Sequence, residues 1–387
     1  MKRLDYLDNI AGLLICYMML MHILLWKTIP LDNNSLWLEP LKFFMFWFFF
    51  KSGMFYRMRT TRGCIIRGRQ KLLYPFVTFS SLGYVIHIVS IYFSGDRNWI
   101  HYILTPMKEL VLGGSIGGND VLWFLTSLFL VQVLFNEMTM KNIKAPYVAI
   151  GGIIIAYLCH FLHIDKPAYL ANVALGISMY SLGFMWKESQ FTASSMSIAT
   201  IIYISIMLIH PSHIDLRTNV LYGNGIFLLA IAFSISGCIV INNFFKHIPK
   251  IPILHYIGKE SMVFYVTHML ILELLPLKHW NISGEIAFAI MCISCLIFPP
   301  LIKKSFSCLF LEKQRLSESS KFSEDLFYLV RKSRKVLHIL HFFHFDFPFS
   351  FSLHFCHITF DIQRLAVKGQ QRETSPYSPP MWFNDFS

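Results

Sequence analysis

Residues 6–26 read YLDNIAGLLICYMMLMHILLW, and from Ile10 to Trp26 the run contains no Asp, Glu, Lys or Arg. About 20 apolar residues in a helix cover the hydrocarbon core of a bilayer, so the stretch predicts a membrane-crossing helix over 7–26. It is longer than the usual apolar core of a secretion signal, and Met21-His22-Ile23-Leu24 offers no small-residue cleavage site. The span therefore reads as retained. One residue in it stands out. An ionisable imidazole is costly in lipid and tends to face a cavity or the bundle interior, which makes His22 a candidate functional residue. A histidine near a helix end that reaches interfacial water or a backbone carbonyl would look the same in sequence.

The rest of the chain repeats this character. Of 387 residues, 55% are hydrophobic and 14% charged, and the mean hydropathy is +0.51. A soluble domain carries about 25% charged residues. Apolar segments at 36–50, 72–93, 120–136, 145–162, 168–186, 196–210, 220–242, 261–276 and 285–302 join the first to predict an all-α, polytopic bundle of ten spans, since only helices and closed barrels satisfy their backbone in lipid. Glu39 with Lys42, and His268 with Glu273, lie inside short segments and need shielding by neighbours or a water-filled cavity. The net charge of +12 then describes loops facing anionic headgroups, not nucleic acid. Fifteen Lys and Arg fall on one side of the ten spans and six on the other. Seven of the fifteen lie between Lys51 and Lys71. The positive-inside rule puts both termini in the cytoplasm, which leaves 94–119 as the longest external loop, with a glycine-rich end able to fold over a site.

The eight cysteines lie mostly in or beside apolar runs, as buried thiols would. Cys292 and Cys295 form a C-x-x-C within a span but lack a second ligand pair, so no metal site is expected. Residues 303–387 are expected to form a basic, partly amphipathic and poorly ordered tail, with 321–340 suited to the inner membrane surface. The domain reading is thus 1–302 in the membrane and 303–387 as the tail.

Several short motifs recur in a telling order. Tyr6-Leu7-Asp8-Asn9-Ile10-Ala11-Gly12 is followed ten residues later by His22. Then come Phe46-Trp47-Phe48-Phe49-Phe50-Lys51-Ser52-Gly53, Arg67-Gly68-Arg69-Gln70-Lys71-Leu72-Leu73-Tyr74-Pro75-Phe76, Leu122-Trp123-Phe124-Leu125, and Ile257-Gly258-Lys259-Glu260-Ser261-Met262 with Tyr265 and His268. The set resembles the integral-membrane acyltransferase 3 family over residues 3–302. That resemblance implies a bacterial inner-membrane enzyme moving an acetyl or other short acyl group from acyl-CoA, a co-substrate and not a bound cofactor, to a sugar hydroxyl of a surface glycan or its precursor. It makes His22 the catalytic residue. The family commonly has Arg or Lys eleven residues before this His, where this chain has Ala11. Arg3 is another basic group near that end, and an impaired enzyme is the alternative.

Acyl transfer to an alcohol needs a base, oxyanion stabilisation and a grip on the donor. His22 is the best base on offer. Arg67, Arg69 and Lys71 have the forks and ammonium that bind donor phosphates, although topology alone also demands a basic loop there. Trp123, His268, Asp120 and Ser52 are candidates to line the substrate cavity. Asp8 lies fourteen residues from His22, about 21 Å along a helix, so Asp32, Glu39 or Asp120 is the expected acidic partner. His268 either shares the cavity or bonds a nearby carbonyl. A glycan or lipid transporter would show a similar pattern of spans.

Overall fold

Long apolar runs leave the backbone one way to satisfy its polar groups in lipid, and the chain is mostly helical. A computed structural model describes residues 4–25, 36–94, 99–116, 119–164, 166–188, 193–209, 211–223, 225–275 and 283–305. The expected tail helix at 321–340 and the glycine pair 117–118 lie outside these. The described residues belong to the first of two units, Met1–Glu312.

Thirteen α-helices follow one another among the described residues: α1 (Asp5–Leu25), α2 (Phe44–Met54), α3 (Thr61–Gly68), α4 (Tyr74–Ser94), α5 (Trp99–Gly113), α6 (Trp123–Met140), α7 (Ala145–Phe161), α8 (Ala168–Glu188), α9 (Ala193–Ile209), α10 (Phe227–Lys246), α11 (Pro252–Lys259), α12 (Ser261–Leu274) and α13 (Gly284–Ser305). Among the described residues, six helical segments are long and apolar enough to cross a membrane: Asp5–Leu24, Thr61–Val89, Asp120–Met140, Ala168–Trp186, Phe227–Lys246 and Gly284–Lys304. Ala145–Phe161, Ser195–Ile209 and Ser261–Leu274 are shorter apolar helices. The protein is a multi-pass membrane protein.

Three departures from the sequence reading have local causes. The segment at 36–50 is not one helix: Leu36–Leu41 is a 3-10 turn containing Pro40, and α2 starts only at Phe44. The 94–119 connection holds α5, which carries Pro106 internally. The span expected to begin at 220 begins at Phe227, because β1 (Ser212–Asp215) and β2 (Val220–Gly223) pair as an antiparallel hairpin. Asn219 at φ 58° and Gly223 at φ 94° occupy left-handed backbone that a helix does not accept.

The centre of the bundle is α1 and α8, each with 72% of its apolar window buried, against 28% for α13. α1 packs on α11, α10 and α12, while α8 packs on α7, α2 and α6. Close approach depends on glycine where two backbones touch. A Cβ on Gly258 would overlap the Asp8 carbonyl oxygen, and one on Gly12 would overlap that of Leu254. Small residues serve the same purpose at helix contacts within membranes generally. Outward faces of α7, α9 and α13 carry exposed residues such as Ile150, Leu208 and Ile293, as a lipid-facing surface requires.

Glu39 and Lys42 are shielded, not opened to a cavity: they form a buried ion pair at 2.5 Å. Two tyrosines close over this corner, Tyr17 donating to the Leu38 carbonyl at 2.7 Å and Tyr203 to that of Pro40 at 2.5 Å. Cys159, Cys238 and Cys295 are buried free thiols, while Cys16, Cys64 and Cys292 are free and half-buried.

Candidate functional site

The last turn of α1 and the middle of α12 bring two imidazoles together. His22 is half-buried and His268 wholly enclosed. Their ring centroids are 5.0 Å apart, and His268 Nε2 lies 3.3 Å from His22 Nδ1. Each ring is also tied to its own helix. His268 Nδ1 is 2.8 Å from the Tyr265 carbonyl and 3.2 Å from that of Phe264; His22 Nδ1 is 2.9 Å from the Met18 carbonyl.

Those carbonyls assign the protons. A carbonyl oxygen only accepts, so each Nδ1 carries the hydrogen. His268 Nε2 is then a lone pair, and the His22 Nδ1–H is shared between it and the Met18 carbonyl. His22 Nε2 is left as an unprotonated nitrogen. The arrangement is a base whose tautomer is set by a second ring, and that ring's tautomer is set by the α12 backbone.

α12 is itself held in place. Asn119 donates to the Val266 carbonyl at 3.0 Å, and the Tyr265 hydroxyl donates to the Val121 carbonyl. Both contacts come from the 3-10 turn Asp120–Leu122 and the residue preceding it. Trp123 follows this turn, buried in the core and edge-on to Phe124.

The β1–β2 hairpin adds a charge. Its turn is self-bonded: the Asp215 carboxylate accepts from the Arg217 N–H at 3.0 Å and from the Thr218 hydroxyl at 2.7 Å. Asn219 donates to the Ala156 carbonyl of α7 at 3.2 Å, and Ile214 and Leu216 are buried. So anchored, the hairpin presents the Arg217 guanidinium to Ser115 Oγ at 3.0 Å, with Asp120 Oδ2 at 3.9 Å. Asp120 opens the 3-10 turn whose Val121 carbonyl holds Tyr265, three residues before His268 on α12, so Arg217 stands at the turn that positions this part of α12. On the same hairpin His213 stacks on Tyr222. Burial, with the Lys42 ammonium nearby, pulls the His213 imidazole down to about 4.

The remaining sequence candidates do not join this cluster. Gln132 donates to Ser52 Oγ at 3.3 Å, nine residues along α6 from Trp123, or about 14 Å. Arg67, Arg69 and Lys71 are exposed on α3 and the π-helical turn Arg69–Leu73 that joins it to α4. Thr60 caps α3 by accepting from the Gly63 N–H at 3.2 Å, and Arg69 lies over the Tyr74 ring at 5.8 Å. Gly68 abuts Phe129 and Cys64 the Gln132 carbonyl, so this basic segment runs along the middle of α6.

Among the described residues the side chain that meets the His22 ring is a histidine, His268. Glu39 pairs with Lys42 and Asp120 faces Arg217, while Asp32 lies outside the described residues, as does Arg3. Ala11 is fully enclosed where α1 meets α11, eleven residues and about 16 Å from His22 along the helix. A basic side chain there would be a turn from Asp8, far from the imidazole. In this chain His255 of α11 approaches that carboxylate, at 3.8 Å, and Asp5 at 3.9 Å. Asp5, Asp8 and His255 are grouped closely enough for a cation, a cluster that the sequence reading did not assemble.

Arg217 is the residue that sequence reasoning missed. It was one of six basic residues on its side of the spans, in a turn whose only local signal is Asp215-Leu216-Arg217-Thr218-Asn219. Among known proteins, the family model described as an acyltransferase domain matches residues 4–303. No curated protein and no solved structure matches.

Proposed function

Because the chain belongs to the acyltransferase 3 family, we propose that it transfers an acetyl or other short acyl group from acyl-CoA to a sugar hydroxyl of a surface glycan or its precursor, in the bacterial inner membrane. The observation that carries this reading is the unprotonated His22 Nε2, left open by the chain of bonds through His268 to the α12 backbone.

His22 Nε2 takes the proton of the acceptor hydroxyl while the acceptor oxygen bonds to the thioester carbon. The carbonyl π pair moves onto its oxygen. Collapse of that oxyanion reforms the carbonyl, breaks the carbon–sulfur bond and releases CoA thiolate, which takes the proton back from His22. Atoms and charge balance, and the histidine is regenerated. His268 accepts from His22 Nδ1 throughout, so the imidazolium formed midway keeps its orientation and a hydrogen-bonded partner. Positioned proton transfer of this kind is worth roughly 10²–10⁴-fold in rate.

A donor held at the basic segment and reacting at the histidines must be a long molecule, as acyl-CoA is. Arg67, Arg69 and Lys71 are suited to its phosphates, and the thioester arm would run beside α6 toward the histidines, with both termini cytoplasmic and the acceptor arriving from the hairpin side. Membrane lipids surround the bundle. Surface glycan from cells with and without the protein, analysed for base-labile esters, tests the reading. Esters present only with the protein support it. Identical ester content, with glycan or lipid export changed, would instead identify a transporter.

A further inference from the structure

The acyltransferase reading needs a donor for the developing oxyanion, and among the described residues the histidine pair does not supply one. His22 Nδ1–H and His268 Nδ1–H are both engaged with backbone carbonyls. The Tyr265 hydroxyl, the nearest phenol on α12, is spent on the Val121 carbonyl. Arg217 is placed differently. Its side chain is 30% exposed, one hydrogen bond anchors it to the fully buried Ser115, and Asp120 stands beyond hydrogen-bond reach at 3.9 Å. A guanidinium has five N–H donors in a fixed fork, and this one lies beside the Asp120–Leu122 turn, whose Val121 carbonyl holds Tyr265; the Tyr265 ring is 6.3 Å from that of His268, the partner of His22.

We propose that Arg217 is the oxyanion-binding residue of this site. The anchored hairpin turn is the device that makes this possible. Asp215 and Asn219 fix the loop, and Ser115 fixes the fork before substrate arrives, so little reorganisation is needed as charge develops. Asp120 balances the guanidinium in the resting protein. When the thioester carbonyl takes on negative charge, the fork has a second anion to serve.

The inference rests on the acyltransferase reading, and one experiment separates their failures. Full-length protein in membranes is assayed for transfer of label from acetyl-CoA to the envelope glycan, with kcat and the KM for acetyl-CoA determined for wild type, Arg217→Ala, Arg217→Lys and Ser115→Ala. Loss of one oxyanion donor lowers kcat by roughly 10²–10³-fold, so Arg217→Ala is expected to fall in that range with KM within about threefold. Arg217→Lys keeps a charge and should recover about tenfold of the loss, and Ser115→Ala should fall between wild type and Arg217→Ala. A kcat for Arg217→Ala within about threefold of wild type overturns the proposal. So does a loss confined to KM, the mark of ground-state binding. If Arg217→Ala fails to accumulate in membranes, wild-type kcat in both Arg217→Lys and Ser115→Ala overturns it equally. Absence of transfer by the wild type refutes the acyltransferase reading itself, and this proposal with it.

Discussion

Removing the His268 ring should slow transfer without weakening donor binding. Its Nε2 is the acceptor for His22 Nδ1 at 3.3 Å, and that bond strengthens when His22 becomes an imidazolium. A hydrogen bond to a charged group contributes about 1.5–3 kcal/mol, and about 1.4 kcal/mol is tenfold in rate. Because the Met18 carbonyl at 2.9 Å still accepts from the same nitrogen, the lower half of that range applies, and His268→Ala should lose about 10- to 40-fold in kcat. His268→Gln places a side-chain carbonyl near the former Nε2 and should stay within about threefold of wild type. Neither change touches the basic segment at Arg67–Lys71, so KM for acetyl-CoA should hold. The assay is initial transfer of labelled acetyl in membranes matched for protein amount, with detergent-solubilised melting curves to account for the cavity left by alanine. Equal rates for wild type and His268→Ala would refute the role. Equal losses in the alanine and glutamine variants would show that the ring acts through packing and not as an acceptor.

Two further outcomes follow from packing and burial. Gly258→Ala sets a methyl against the Asp8 carbonyl oxygen, with backbone on both sides, so α1 and α11 must part; overpacking costs about 1–3 kcal/mol and the melting temperature should fall. Gly151→Ala meets nothing within 4 Å and should leave it unchanged or higher; equal falls in both would contradict the close contact. For His213, a folded value of about 4 against the ordinary 6.5 means that the unfolded chain binds the extra proton first. Stability should therefore drop as pH falls from 6.5 toward 4, and His213→Gln should flatten that part of the melting-temperature profile. A profile identical to wild type would show that this ring is not the group responsible.

Much of the architecture was legible because lipid leaves few options. Residues 7–26, 145–162, 168–186 and 285–302 each coincide with a helix to within a few residues, since an apolar run of that length in lipid has no other way to satisfy its backbone. The reading failed where backbone conformation, not hydropathy, decides. Val220-Leu221-Tyr222 is apolar enough to extend the following span, but Asn219 and Gly223 require left-handed backbone, and the result is a hairpin. The site divided along the same line. His22 was conspicuous as an ionisable group in an apolar run. His268 was legible as a cavity candidate but not as the ring's own partner, because it lies 246 residues away and a carboxylate is the commoner companion of a histidine. Arg217 left less trace still: only the fold brings the turn carrying it to Ser115 and Asp120, at the turn that holds α12.

The central claim is that His22 Nε2 is the base for acyl transfer. Single-turnover transfer of label from acetyl-CoA to envelope glycan, compared between wild type and His22→Ala in membranes with equal protein, tests it most directly. The account predicts a rate for His22→Ala lower by roughly 10²–10⁴-fold, with acetyl-CoA still bound. Transfer at the wild-type rate by His22→Ala would contradict it.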